Sequence, residues 1–178
     1  MAAMISVMGS LLPYHLLSYG TLLGSQLFQS FINTKICYLA LSKREFLLLQ
    51  KKLFPVYFGS QIGLALLTAA THPPFSILSL IKDTPGLISL AVVAGTGALN
   101  YYIFGPKTTT TAFVRRHVHD NNENAKAPVD EERTKRANRG FSRVHAAAIH
   151  LNAISMVSTV FYGINLAANL LSNKSTDI

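Results

Sequence analysis

The residues best suited to bind a ligand or take part in chemistry are imidazole and amide side chains that recur along apolar stretches. His15 is followed by Gln26, Gln29 and Asn33, and at 100° per residue these four fall within about 60° of one another on a helix. Three later apolar stretches repeat the pattern, with the residues Tyr57, Gln61, Thr68 and His72; Ser89, Thr96 and Asn100; and His145, Asn152, Met156, Thr159 and Gly163. Each stretch therefore predicts a helix with one polar face.

Such polar faces have two interpretations. They can be interhelical hydrogen-bonding surfaces, or they can line a cavity for a solute or for a cofactor such as haem or copper. His15 and His145 are expected at opposite ends of the helices, which separates them too far for joint ligation. For His15 we expect His72 and the far end of the fourth stretch as neighbours. For His145 we expect Asn33, Cys37 and Asn100.

Several kinds of enzyme site are missing from the sequence. It holds no recognisable nucleophile and base pair and no glycine-rich phosphate loop, and no Asp or Glu interrupts the four apolar stretches. Cys37 is the single cysteine, so neither an internal disulfide nor a cysteine zinc site can form. We therefore predict a protein that is not an enzyme and expect no cofactor, with the metal question open and haem or copper as the alternative.

The elements that must position these side chains are transmembrane helices. Only 13% of residues are charged, 49% are hydrophobic and the mean hydropathy is +0.31. About 20 apolar residues span the hydrocarbon core of a bilayer. Four windows of that kind, at about residues 13–41, 53–72, 85–105 and 144–171, predict an all-α integral membrane protein, a four-helix bundle with a polar inner seam.

Basic residues are distributed unevenly among the connections. Thirteen of them lie in the segments after the first and third windows, against two in the second connection and the C-terminal tail. The positive-inside rule then puts both basic segments in the cytosol and both termini outside it. The residues expected to contact anionic lipid headgroups are Lys43, Arg44, Lys51 and Lys52. The net charge of +8 is read as this lipid attraction and not as nucleic-acid binding.

The segment 107–142 is the one long hydrophilic stretch. Because its middle lacks apolar periodicity, we predict a cytosolic loop that is partly disordered. Its first residues, from Lys107 to Val114, are open to a second interpretation as an extension of the third helix. Next to this loop we expect a hydrogen-bonded cluster at the cytosolic end of the bundle, formed by Asn100, Arg115, His145 and Asn152.

Several strings together resemble the transmembrane protein 205 family, also described as domain of unknown function 4149. They cover most of the chain, and the strings are His15-Leu16-Leu17 with Gly24-Ser25-Gln26, Lys43-Arg44-Glu45-Phe46 with Leu53-Phe54-Pro55-Val56-Tyr57-Phe58, Asn100 with Gly105-Pro106-Lys107-Thr108, Arg115, and Phe141 with His145 and Asn152. Ala112, Ala146 and Ala148 depart from the residues usual in that family.

The resemblance implies a function without a reaction. It suggests a role in handling or vesicular export of small solutes or metal complexes, because animal members of that family are linked to resistance to platinum drugs. Distant similarity to copper-resistance and haem-associated membrane proteins supports the cofactor alternative. A structural or adaptor subunit, with a membrane protein partner or a second copy of the chain, is the third interpretation. The expected location is an endomembrane or the plasma membrane, with a mitochondrial membrane left open.

Overall fold

The fold consists of helices throughout the described chain. The structure, a computed structural model, describes residues 7–124 and 130–176, and every regular element in those ranges is helical. In chain order the elements are α1 (Leu12–Leu27), the π-helical turn π1 (Phe28–Asn33), α2 (Thr34–Ala40), α3 (Lys43–Ala70), α4 (Ile77–Lys82), α5 (Thr84–Leu99), the π-helical turn π2 (Asn100–Phe104), α6 (Gly105–Asn124) and α7 (Glu131–Thr176).

These elements join into four long helical rods, because no irregular residue separates α1 from π1 and α2, or α5 from π2 and α6. The rods comprise residues 12–40, 43–70, 84–124 and 131–176. Three of them contain segments long and apolar enough to cross a membrane, namely Lys43–Ala70, Thr84–Glu123 and Glu131–Ser172. The first rod is not in this group, because its many Ser, Thr, Gln and Asn residues lower its hydropathy.

Local sequence signals set the starts of two rods. Ser42 begins α3 with a capping box: its Oγ accepts from the backbone N–H of Glu45 at 3.3 Å, and its own N–H donates to the Glu45 carboxylate at 3.0 Å. Asp83 begins α5, where its Oδ1 accepts from the backbone N–H of Gly86 at 3.2 Å. Pro85 in the first turn of α5 needs no hydrogen-bond donor there.

The rods pack side by side with their polar residues inward. Helix α5 lies between α3 and α7, and α1 packs mainly on α3. Buried apolar residues form two small clusters, and these are Leu80, Leu90, Tyr162 and Leu166, and Leu22, Ala65 and Val93. Large apolar residues along all four rods are exposed instead, among them Leu39, Val56, Leu66, Tyr102 and Ile164. An apolar exterior around a polar interior suits lipid as the surrounding solvent.

The structure differs from the sequence prediction over residues 107–142. Instead of a long irregular loop, α6 continues the third rod to Asn124 and α7 starts at Glu131. The two helices form a hairpin, linked by Asn122 Nδ2 donating to Thr134 Oγ1 at 2.9 Å. Ion pairs four residues apart support both helices, and apolar periodicity does not report such pairs. The disorder expected for residues 125–129 falls outside the described residues.

Gly163 on α7 leaves room for the side chain of Tyr19 on α1. A Cβ atom on Gly163 would overlap the hydroxyl of Tyr19 and lie 2.6 Å from its Cζ. Gly163→Ala is therefore expected to lower the free energy of unfolding by about 1–3 kcal/mol, against a gain in helix propensity of up to about 1 kcal/mol. Gly95→Ala, where nothing lies within 4 Å, is the control. Thermal unfolding in detergent should separate the variants, and equal midpoints would contradict the α1–α7 contact.

Candidate functional site

The polar faces predicted from the sequence turn inward on the first three rods. His15, Gln26 and Gln29 are buried and Asn33 is half-buried. Helix α3 buries Tyr57, Gln61 and Thr68, and His72 is buried just after its end. The third rod buries Ser89, Thr96 and Asn100. On α7 the buried polar face is rotated from the predicted one. Its members are Ser155, Thr159 and Tyr162, whereas His145 and Asn152 are half-buried. We call this set of buried polar side chains the polar column.

His15 holds three helices together at one end of the column. Its Nδ1 lies 3.0 Å from the carbonyl oxygen of Thr68, which can only accept, so Nδ1 carries the proton. In the neutral ring Nε2 is then an acceptor, and the hydroxyl of Tyr162 donates to it at 2.8 Å. His15 is fully buried. Both of its nitrogens are thus occupied by α3 and α7.

His72 and Asp83 complete this end of the column. The His15 and His72 rings meet edge to face with centroids 5.4 Å apart, as the sequence predicts. His72 Nε2 lies 3.4 Å from Asp83 Oδ2, but neither ring nitrogen has a partner in hydrogen-bond geometry. Asp83 also accepts from Asn165 Nδ2 at 2.8 and 2.9 Å and from Asn169 Nδ2 at 3.1 Å. One carboxylate therefore connects α7 to the start of α5.

The middle of the column is a bridge of two amides and a hydroxyl. Gln26 Nε2 on α1 and Gln61 Nε2 on α3 both donate to Ser155 Oγ on α7, at 3.0 and 2.6 Å. The side-chain oxygens of the two glutamines are buried with no hydrogen-bond partner. The bridge connects three helices and leaves two acceptors open.

The polar residues of π1 bond mainly within their own rod. Asn33 Nδ2 donates to Gln29 Oε1 at 2.8 Å, Gln29 Nε2 donates to Thr34 Oγ1 at 3.3 Å, and Cys37 Sγ lies 3.4 Å from Asn33 Oδ1. Ser30 is the residue of π1 that reaches across, accepting from Asn152 Nδ2 at 2.9 Å. The π-helical turn thus satisfies its own side chains.

The four residues predicted to cluster near the basic segments fall into three separate contacts. Asn100 Nδ2 donates to the carbonyl of Ala148 at 3.2 Å, and Asn152 Oδ1 accepts from the hydroxyl of Tyr57 at 2.9 Å. The Arg115 guanidinium lies 4.0 Å above the ring of Phe141, and that ring stacks on His145 at 4.9 Å. Among the hydrogen bonds of residues 7–124 and 130–176, none joins two of these four.

The basic residues at the start of α3 lie on the surface. The side chains of Lys43, Arg44, Lys51 and Lys52 are exposed, and Lys51 Nζ stands 5.9 Å from the ring centroid of Phe113 on α6. This places the start of α3 beside α6, so both basic segments share one end of the bundle. We call it the basic end. The described residues include no group of three His, Cys, Asp or Glu arranged to hold a metal ion.

Comparison with known proteins identifies the family of this chain. The sequence profile described as "Domain of unknown function (DUF4149)" matches residues 17–117, more than half of the chain. The chain belongs to the DUF4149 family. A curated relative is "Xanthocillin biosynthesis cluster protein D" of Aspergillus fumigatus, strain ATCC MYA-4609, which is 48% identical over 172 residues that cover 97% of this chain and 99% of the relative. No solved structure matches the chain significantly.

The DUF4149 match begins at residue 17 within the first rod, ends at residue 117 within the third and does not reach α7. It therefore includes Gln26, Gln61 and Asp83 but neither His15 nor the partners on α7. Sequence reasoning missed three of the central residues, Asp83, Ser155 and Tyr162. Asp83 lies in the connection between the second and third predicted windows, although an Asp shortly before a proline at a helix start indicates an N-cap. Ser155 and Tyr162 stand four residues before and three after Thr159, which puts them on the same helical face.

Proposed function

We propose that the chain crosses the membrane four times, with both basic segments in the cytosol and both termini on the other side. The first rod, residues 12–40, is roughly 40 Å long at 1.5 Å per residue, enough for the hydrocarbon core. The polar residues that lower its hydropathy pack against α3 and α7, while Leu17, Phe28, Phe31 and Leu39 are exposed. The shared position of the basic segments supports one cytosolic end.

We further propose a non-enzymatic role in handling or exporting a small solute or metal complex, of the kind implied by the resemblance to the transmembrane protein 205 family. The polar column carries this proposal. Its buried polar side chains extend from His15 to Asn100 inside an apolar exterior, and the open acceptors of Gln26 and Gln61 lie along it. The name of the Aspergillus relative refers to a biosynthesis cluster, which supports a task linked to a biosynthetic product.

Deleting the gene in its native host tests this role. Small molecules inside the cells and in the medium are compared by mass spectrometry, and at least one is expected to shift severalfold from the medium to the cells. Wild-type protein should restore the distribution. Gln61→Leu, which removes one side of the bridge, should not, although it is inserted in the membrane in equal amount. An unchanged distribution, or full rescue by Gln61→Leu, would contradict a solute role of the column.

A haem or copper protein is the second candidate, and His72 is the observation in its favour. Its two buried nitrogens lack hydrogen-bond partners and it lies beside His15. Protein purified in mild detergent from its native membrane would then show a Soret band or stoichiometric copper. A sample without either would remove this candidate.

An adaptor role is the third candidate, supported by the hairpin of α6 and α7. Helix α7 is roughly 70 Å long, so it extends beyond a bilayer of about 45 Å including its headgroups. The extension carries Arg133, Lys135 and Arg136 on exposed positions, where a membrane protein partner or a second copy of the chain can dock. Deleting the hairpin should abolish any such association, and an intact association would contradict this role.

A further inference from the structure

A cavity at the basic end has the composition of a ligand site. It measures about 270 Å³ and lies between α3 and the junction of π2 with α6. Its walls include three aromatic rings, one ammonium group and two polar side chains; these are Phe54, Phe58, Tyr101, Lys51, Asn100 and Thr109. The volume is slightly below the range of drug-sized pockets, so it suits a single ring or a lipid headgroup.

Asn100 brings an unpaired buried polar atom to the cavity wall, and two residues next to wall residues in the sequence carry others. Asn100 lines it with 1% of its surface exposed, and while its Nδ2 donates to Ala148, its Oδ1 has no partner. Gln50, next to Lys51, is 5% exposed, and neither of its side-chain polar atoms is paired; Thr108, next to Thr109, has an unpaired hydroxyl at 6%. An unpaired buried polar group costs about 1–3 kcal/mol, so a bound molecule that donates a hydrogen bond to Asn100 Oδ1 would offset that cost.

The helix backbone lacks one regular hydrogen bond beside this cavity. Pro55 lies inside α3 and in the cavity wall. Since proline has no N–H, the carbonyl of Lys51 receives no helical hydrogen bond from residue 55. The wall therefore includes an unpaired acceptor, Asn100 Oδ1, and a positive charge on Lys51.

From this arrangement we propose that the cavity binds a small amphiphilic anion that carries a hydroxyl group. The anionic group pairs with Lys51, the hydroxyl donates to Oδ1 of Asn100, and the apolar part packs against the three rings. A membrane lipid with a hydroxylated anionic headgroup and a soluble hydroxylated aromatic acid share this chemistry. The inference deepens the proposed solute role by naming a ligand class at the cytosolic end, and it rests on that proposal for its membrane placement.

Binding is tested on the full chain in phosphatidylcholine nanodiscs with two probes. The soluble probe is 4-hydroxyphenylacetate, followed by titration calorimetry, and the lipid probe is phosphatidylinositol, followed by native mass spectrometry. Saturable binding of either is expected, and the probe that binds identifies the source. Lys51→Gln should weaken it about tenfold. The neighbouring Lys52→Gln, exposed but outside the cavity wall, should change it less than twofold.

Thr109→Leu, which fills the cavity without changing charge, should abolish binding. No saturable binding of either probe, or equal losses for Lys51→Gln and Lys52→Gln, would overturn the proposal. Neither outcome affects the solute redistribution test, which depends on Gln61 in the middle of the column. Failure of the cavity and failure of the solute role are therefore distinguishable.

Discussion

Replacing Asp83 by alanine is expected to lower the free energy of unfolding in detergent by about 3 kcal/mol. The change removes the N-cap of α5, worth roughly 0.5–2 kcal/mol. It also leaves Asn165 and Asn169 on α7 without their acceptor and His72 without its neighbouring carboxylate. Removing one member of a hydrogen-bonded group leaves the others without a partner, and each unpaired polar group adds a further cost.

Asp83→Asn is the matched control for this experiment. Asparagine keeps the shape and one acceptor oxygen, so it still caps α5, and we expect it to lose about half as much stability as alanine. Denaturant unfolding followed by circular dichroism measures both variants. If Asp83→Ala unfolds at the same denaturant concentration as the wild type, the carboxylate does not connect α5 and α7.

Replacing His15 by alanine is expected to cost about 3 kcal/mol as well. The substitution breaks the hydrogen bonds to Thr68 and Tyr162, leaves the Tyr162 hydroxyl buried without a partner, and opens a cavity at a fully buried position. Interhelical hydrogen bonds in membranes contribute only about 0.6–1.7 kcal/mol each. The larger expected loss of stability comes from the unpaired hydroxyl of Tyr162 and from the cavity.

His150 provides the comparison, since it lies on the exposed side of α7 and its Nδ1 contacts only the carbonyl of Ala146 in its own helix. His150→Ala should change the free energy of unfolding by less than about 0.5 kcal/mol. The two variants are compared by the same unfolding measurement. Similar losses for both histidines would contradict the role of His15 as the link between α1, α3 and α7.

The sequence predicts the general character of this molecule because that character depends on residue type and period alone. Apolar windows and polar faces spaced at 100° per residue predict membrane helices with buried polar sides. Three of the four rods are long and apolar enough to cross a membrane. The contact of His15 with His72 is also predictable. His15 is the first residue of one polar face and His72 is the last residue of the next, so both lie at the same end of neighbouring rods.

The basic end is harder to predict because two π-helical turns change the helical phase. A π-helical turn contains more residues than an α-helical one, so side chains beyond it rotate away from the line that a constant 100° predicts. Asn33 at the end of π1 is only half-buried, while Gln26 before it is fully buried. Asn100 at the start of π2 is buried and donates to the carbonyl of Ala148, whereas Arg115, beyond π2 on the same rod, lies over Phe141. A constant period therefore predicts one cluster where three contacts form.

The most direct test of the account is the side of the membrane on which residue 10 lies. A single cysteine is introduced by Ser10→Cys or Lys135→Cys in a Cys37→Ser background, and sealed vesicles with the cytosolic face outward are treated with an impermeant maleimide. Four crossings predict that Lys135→Cys reacts at once and that Ser10→Cys reacts only after detergent is added. Immediate reaction of both would mean that the first rod does not cross, and would contradict the four-helix account.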